Sequence, residues 1–183
     1  MTYSVVRLDN VKAVYTGHIF SVKAPEELQN GFVGHLGGFV NGEREVRTLE
    51  KPTTTSIDQK GLVLIAHSPI NYDESTMASA SEQNYKIEAG EVVRAYELHE
   101  HDIFSVTKEG IDLIGAEAGV GNYVVAQDGS FKLKEVATPA GTEAFVGKII
   151  AQEVVGTTTV VGANGAVGRV LEYVVIEVIK NVK

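Results

Sequence analysis

The run His99-Glu100-His101-Asp102 carries the densest chemistry in this sequence. On a β-strand, His99 and His101 project to one face, which is the arrangement a metal site inside a β-barrel requires. Barrel metal centres with a His-x-His pair also need a further carboxylate and a distant histidine. Here His18, His35 and His67 lie in unrelated contexts, and the spacing from Gly90 does not match the usual small-barrel metal motif. The four residues read instead as a polar turn between strands Glu91–Leu98 and Ile103–Thr107.

Two glycine-rich stretches imitate nucleotide loops. Gly162-Ala-Asn-Gly165-Ala-Val-Gly168 follows the apolar run Thr158–Val161, as a dinucleotide-binding loop would. That chemistry needs a helix after the loop, whose N-terminus takes the pyrophosphate. Tyr173–Ile179 reads as strand, so a hairpin turn accounts for these glycines. Gly141-Thr-Glu-Ala-Phe-Val-Gly147-Lys148 has five residues between the glycines where a phosphate loop has four. Ile149 also stands where a magnesium-binding hydroxyl belongs. Gly147 and Lys148 are therefore expected within a strand whose Phe145 and Ile149 point inward.

There is no Gly-x-Ser-x-Gly elbow, no His-Glu-x-x-His and no Asp-rich calcium loop. Glu26-Glu27 and Asp73-Glu74 sit in polar surroundings, where paired acids solvate a surface. The sequence thus assigns no catalytic residue, no cofactor and no metal ligand, and a non-enzymatic protein is expected. The absence of cysteine removes disulfides, thiolate nucleophiles and cysteine-ligated zinc.

The elements that would have to hold any site are strands. The chain has 27 Val against 10 Leu, with 13 Thr and 12 Ile. Side chains branched at Cβ fit a pleated surface and lose rotamer freedom in helices, so this bias favours sheet. Asn41-Gly42 separates Leu36–Val40 from Glu45–Leu49, and Asp128-Gly129 separates Tyr123–Ala126 from Phe131–Lys134. Asn164-Gly165 separates Thr158–Val161 from Val167–Ile179. Each dipeptide supplies the positive φ angles of a tight hairpin turn, and about two of the three are expected to be hairpins.

Within Leu171–Ile179, Val174, Ile176 and Val178 share one face, while Tyr173, Val175 and Ile179 share the other. That pattern predicts a central strand covered on both sides. Tyr3–Leu8, Ala13–Tyr15 and Ile19–Val22 are expected as short strands or extended segments, and further strands at Leu62–Ala66 and Ala144–Gln152. Pro25-Glu26-Glu27-Leu28-Gln29 is the best local helix signal, with proline and carboxylates suited to a helix N-terminus and Gly31 to its end. Lys51–Asp58 and Ser68–Glu82 read as exposed loops.

The fold class expected is mainly β, an antiparallel β-barrel or β-sandwich with a short helix and an extended N-terminal region. Residues 1–85 are expected as an N-terminal arm or small β region, and residues 86–183 as a C-terminal barrel-like domain, or the whole as one continuous domain. A formal net charge of -8 without basic clusters disfavours nucleic acid as a partner. Apolar runs such as Gly61–Ala66 and Tyr173–Ile176 are too short for a membrane-spanning helix. The opening residues, Met1–Asp9, lack the pattern of a signal peptide.

The segment Ile87-Glu-Ala-Gly-Glu-Val through Asp102-Ile-Phe-Ser-Val-Thr107 resembles the cement and head-decoration proteins of tailed bacteriophages. In them an Ala-Gly-Glu/Asp-Val passage opens one strand and Asp-x-Phe-x-Val opens the next. Val120-Gly-Asn-Tyr-Val-Val-Ala-Gln-Asp-Gly-Ser-Phe-Lys-Leu133 is similar to their strand–turn–strand passage, and Phe145–Ile150 and Tyr173–Val178 continue the order. The resemblance spans Ile87 to Lys180. It implies a small β-barrel or β-tulip-like domain on the outer capsid surface, with the major capsid protein as partner and self-association on the lattice. The alternatives are another virion β protein (tail tube, baseplate or head-fibre base), a metal-dependent small-barrel enzyme using His99 and His101, and a carbohydrate-binding sandwich. The last lacks tryptophan for sugar stacking.

Overall fold

A computed structural model describes residues 2–68, 82–156, 159–160, 166–167 and 170–182. The architecture is mainly β, as the composition predicts. Five strands close into a barrel: β2 (Ile19–Lys23), β3 (Val33–Phe39), β4 (Val46–Glu50), β5 (Val63–Ile65) and β6 (Val92–Glu97), in the order β2-β4-β3-β5-β6. Closure leaves no unpaired strand edge in this part of the chain.

The second layer is a seven-stranded sheet. Its members are β1 (Val6–Asn10), β7 (Ile103–Thr107), β8 (Ile111–Asp112), β9 (Tyr123–Ala126), β10 (Leu133–Val136), β11 (Phe145–Val155) and β14 (Leu171–Asn181). They are ordered β1-β7-β14-β11-β9-β10-β8. A two-stranded piece, β12 (Thr159–Val160) with β13 (Ala166–Val167), lies between β11 and β14 in the chain.

The barrel falls earlier in the sequence than residues 86–183. It is built from residues 19–97, so its last strand lies past residue 85, while β1 pairs with β7 in the other sheet. The reason is pairing: Val92 to Tyr96 of β6 are paired in register with Lys23 through Ile19 of β2. The first strands therefore have partners of their own.

Two expected turns form where the sequence places them. β3 and β4 pair antiparallel across Asn41-Gly42, with Gly42 at φ 86°, and β9 and β10 pair across Asp128-Gly129, with Gly129 at φ 68°. Asn164-Gly165 lies outside the described residues, although β12 and β13 on either side of it pair antiparallel.

The helix expected at Pro25–Gln29 does not form. Leu28 is fully buried there and exchanges two backbone hydrogen bonds with Ile87, at 3.0 and 2.9 Å. Burying one apolar side chain contributes about 1.5–3 kcal/mol, which outweighs the modest propensity of a single turn. A one-turn helix, α1 (Lys12–Thr16), occurs instead where a short strand or extended segment was expected at Ala13–Tyr15. Asp102 Oδ1 accepts from Lys12 N–H at 3.0 Å, and Gly17 in the left-handed region ends the turn.

Two cores follow from strand alternation. Val22, Leu49, Val63, Ile65, Val93 and Ala95 face into the barrel, joined by Leu28, Phe32 and Ile87. The alternate residues Val33, Leu64 and Tyr96 face outward. They pack with Phe104, Val106, Ile149, Val174, Ile176 and Val178 of the sheet, forming one apolar layer between barrel and sheet. As its pattern predicts, β14 is a central strand, with Tyr173 and Val175 buried on its second face; Ile179 is exposed.

Candidate functional site

Glu97 breaks the inward alternation of β6. Val93 and Ala95 are buried in the barrel core, and Glu97, next on the same face, pairs in register with Val63 of β5. This puts a carboxylate at one mouth of the barrel, where a cavity of about 410 Å³ is lined by Phe20, Leu36, Leu62, Val63, Glu97 and Val182. His35, Gln59, Lys60, Gly61 and Asn181 complete its rim. Barrel mouths of this size, apolar with a few polar groups, are common ligand sites.

The rim is built from close backbone approaches. The Asn181 side chain accepts from Leu62 N–H at 2.9 Å and donates to the carbonyls of Leu62 at 3.0 Å and Leu98 at 2.8 Å. It thereby fastens the end of β14 to the barrel wall. At Gly61 a Cβ would collide with the Val182 carbonyl, so the loop and the strand end meet through a residue without a side chain.

Beneath this loop His35 is buried, and its Nδ1–H donates to Gly61 O at 2.9 Å. That bond leaves Nε2 as an acceptor, and Nε2 has no hydrogen-bond partner in the structure. Burial holds the imidazole pKa below its ordinary value, so His35 is neutral at physiological pH. Around Glu97, the exposed His18 donates from Nδ1 to Oε2 at 2.9 Å, and His99 Nε2 lies 4.0 Å from the same oxygen.

The tempting cluster of the sequence is a turn. Asp102 N–H bonds His99 O, and the Asp102 carboxylate takes the amides of His99 and Lys12. His101 adopts φ 69° and its amide bonds Val178 O, so the two histidines separate: His99 turns toward Glu97, and the exposed His101 toward Glu177. Among the described residues no three His, Asp or Glu side chains are grouped to hold a metal ion.

The two glycine stretches also find their places. Gly147 and Lys148 lie in β11, with Phe145 and Ile149 buried, and Glu143 accepts the amides of Ala140 and Gly141 in the preceding turn. Of Gly162–Gly168, residues 162–165 and 168 lie outside the described residues, and the chain continues into strand β14.

Sequence reasoning passed over Glu97 and set His18 apart from His99, whereas the two rings lie 6.3 Å apart on either side of that carboxylate. The signal was present in Val93, Ala95 and Glu97, an alternating apolar face that ends in a carboxylate. Phe20 and Asn181 had no such signal, because their role comes from strand closure and from a contact between distant segments. Among the described residues no helix is long and apolar enough to cross a membrane. No family model, curated protein or solved structure matches the chain.

Proposed function

We propose that this chain is a virion structural protein of a tailed bacteriophage, a decoration or cement protein that binds the outer capsid surface and stabilises the shell. Its partner in this reading is the major capsid protein, with further contacts between copies on the lattice. It is made in the host bacterial cytoplasm and acts without a catalytic centre or cofactor.

The observation that carries the reading is local. The passages that resemble decoration proteins fold as strand, turn and strand within them: Val92–Glu97 then Ile103–Thr107, and Tyr123–Ala126 then Leu133–Val136, the last starting two residues later than the Phe131–Lys134 expected. Supporting it, Tyr15, Ile114, Val120 and Val154 expose large apolar side chains on an otherwise acidic molecule, as a protein acting through buried contact area would. Weak contacts of this kind add through avidity when they repeat over a lattice.

A second reading, a tail-tube or related virion β protein, is favoured by one feature. β11 and β14 form a hairpin with eleven residues in each strand. Tube proteins close rings through such hairpins.

Co-sedimentation with empty or expanded capsids tests the first reading. Binding that saturates at a fixed ratio per capsid subunit is the expected outcome, and no pelleting with any capsid would overturn it. Closed rings formed by the isolated protein in electron micrographs would favour the tube.

A further inference from the structure

We propose that the barrel mouth is a binding site for a small uncharged molecule with an apolar body and one hydroxyl donor, an alcohol or a phenol. Phe20, Leu36, Leu62, Val63 and Val182 give the site its apolar walls, around a cavity of about 410 Å³. That volume lies in the range of small-molecule sites. Apolar walls attract a ligand by releasing water and are non-directional, so they fix no orientation. Orientation has to come from the few polar groups that line the same space.

The charged groups among them are already met within the protein. Glu97 has His18 Nδ1 at 2.9 Å and His99 Nε2 at 4.0 Å, and Lys60 lies 3.3 Å from Glu50. The Asn181 side chain is taken by Leu62 and Leu98. A charged ligand would leave water for an apolar wall whose ions have partners of their own, and that desolvation is costly. The site therefore favours a molecule without charge.

His35 supplies the directional contact. Its side chain lines the cavity and is 1% exposed. Gly61 O only accepts, so the imidazole proton sits on Nδ1, and burial keeps the ring neutral. Nε2 is left as an acceptor, buried and without a hydrogen-bond partner. Buried acceptors nearly always have a donor, so an exception on a cavity wall marks where a ligand's O–H belongs. The cavity is also preformed: Gly61 against Val182 and the Asn181 clamp fix its rim, so little ordering is needed on binding.

The test is a titration of the isolated full chain at neutral pH with cyclohexanol, methoxycyclohexane, cyclohexylamine and cyclohexanecarboxylate. Amide chemical shifts and the imidazole nitrogen resonances of His35 report binding. Cyclohexanol is expected to shift the amides of Phe20, Leu36 and Val63 and to move the His35 Nε2 resonance toward that of a hydrogen-bonded acceptor. Methoxycyclohexane has the same ring but no donor, so it should bind at least about fivefold more weakly and leave that resonance in place. Both ions should bind more weakly than the alcohol. His35→Leu removes the acceptor and should bring alcohol and ether to equal affinity. If His35→Leu unfolds, the Nε2 resonance of the unaltered chain decides the matter alone.

Equal binding of alcohol and ether by the unaltered chain, or an Nε2 resonance that stays still at saturating cyclohexanol, would overturn the proposal. So would tighter binding of either ion, shifts confined to residues away from the mouth, or a preference for the alcohol retained in a folded His35→Leu chain. No capsid enters this titration, so its failure leaves the capsid reading standing, and the converse holds.

Discussion

The carboxylate of Glu135 is buried and spends both its oxygens on one loop. Oε1 accepts from Gly119 N–H and from the Asn122 side chain, each at 2.7 Å, and Oε2 from Ile114 N–H at 3.0 Å. Burial pushes its pKa up, but the bonds from Asn122, Ile114 and Gly119 more than offset this, and the pKa lies below the ordinary 4.5. The folded state therefore holds the charged form more tightly than the unfolded state does. The resulting stability is complete above the ordinary value and is lost as pH falls through the lowered one. Glu135→Gln turns an amide N–H toward a donor, so we expect a loss of about 1–3 kcal/mol in urea unfolding at pH 7. The mutant's disadvantage should shrink as pH drops below 4.5, and an unchanged gap at acid pH would contradict this assignment. Nothing in Lys134-Glu135-Val136 marks this glutamate out, because its donors come from 13 to 21 residues earlier in the chain.

Among the elements, β11 and β14 show what a sequence can and cannot disclose. The expectation that Gly147 lies in a strand holds, yet spacing alone gives no reason for a glycine there. A Cβ at Gly147 would stand 2.7 Å from Ile176 Cγ2 and 2.8 Å from Val124 Cγ2, so β9, β11 and β14 pack through that gap. Gly147→Ala should cost about 1–3 kcal/mol by overpacking, measured as a lowered denaturant midpoint with an unchanged slope. The hairpins at Asn41-Gly42 and Asp128-Gly129 were legible because the positive φ that each glycine takes within its connection is a local property. The helix predicted at Pro25–Gln29 failed because its signals are equally local, while Leu28 answers to Ile87, 59 residues away by number. The barrel mouth was half legible: Glu97 interrupts a visible alternation, whereas Phe20, Leu36 and Val63 meet it only once five strands close.

For the molecule as a whole, the barrel and the sheet share one apolar layer. Val33, Leu64 and Tyr96 on the outside of the barrel pack with Phe104, Val106 and Ile176 of the sheet. Phe131, from the sheet side of the chain, joins the barrel core, and its carbonyl accepts from Val33 N–H at 2.8 Å. Neither layer can open without exposing the other's apolar face. We expect one cooperative transition in denaturant, with tyrosine fluorescence and far-ultraviolet dichroism reporting the same midpoint. Two separated midpoints would show that the layers are independent.

The position of β14 sets a schedule for the growing chain. It lies between β7 and β11, so the sheet lacks its middle until residues 171–181 have been made, after every other strand of that sheet. The barrel strands, all within residues 19–97, can close on the ribosome long before then. Until β14 arrives, the outer face of that early barrel, with Val33, Leu64 and Tyr96, lacks the strand that completes its cover. Chaperone demand during synthesis should accordingly peak in this interval and end when β14 slots between its neighbours.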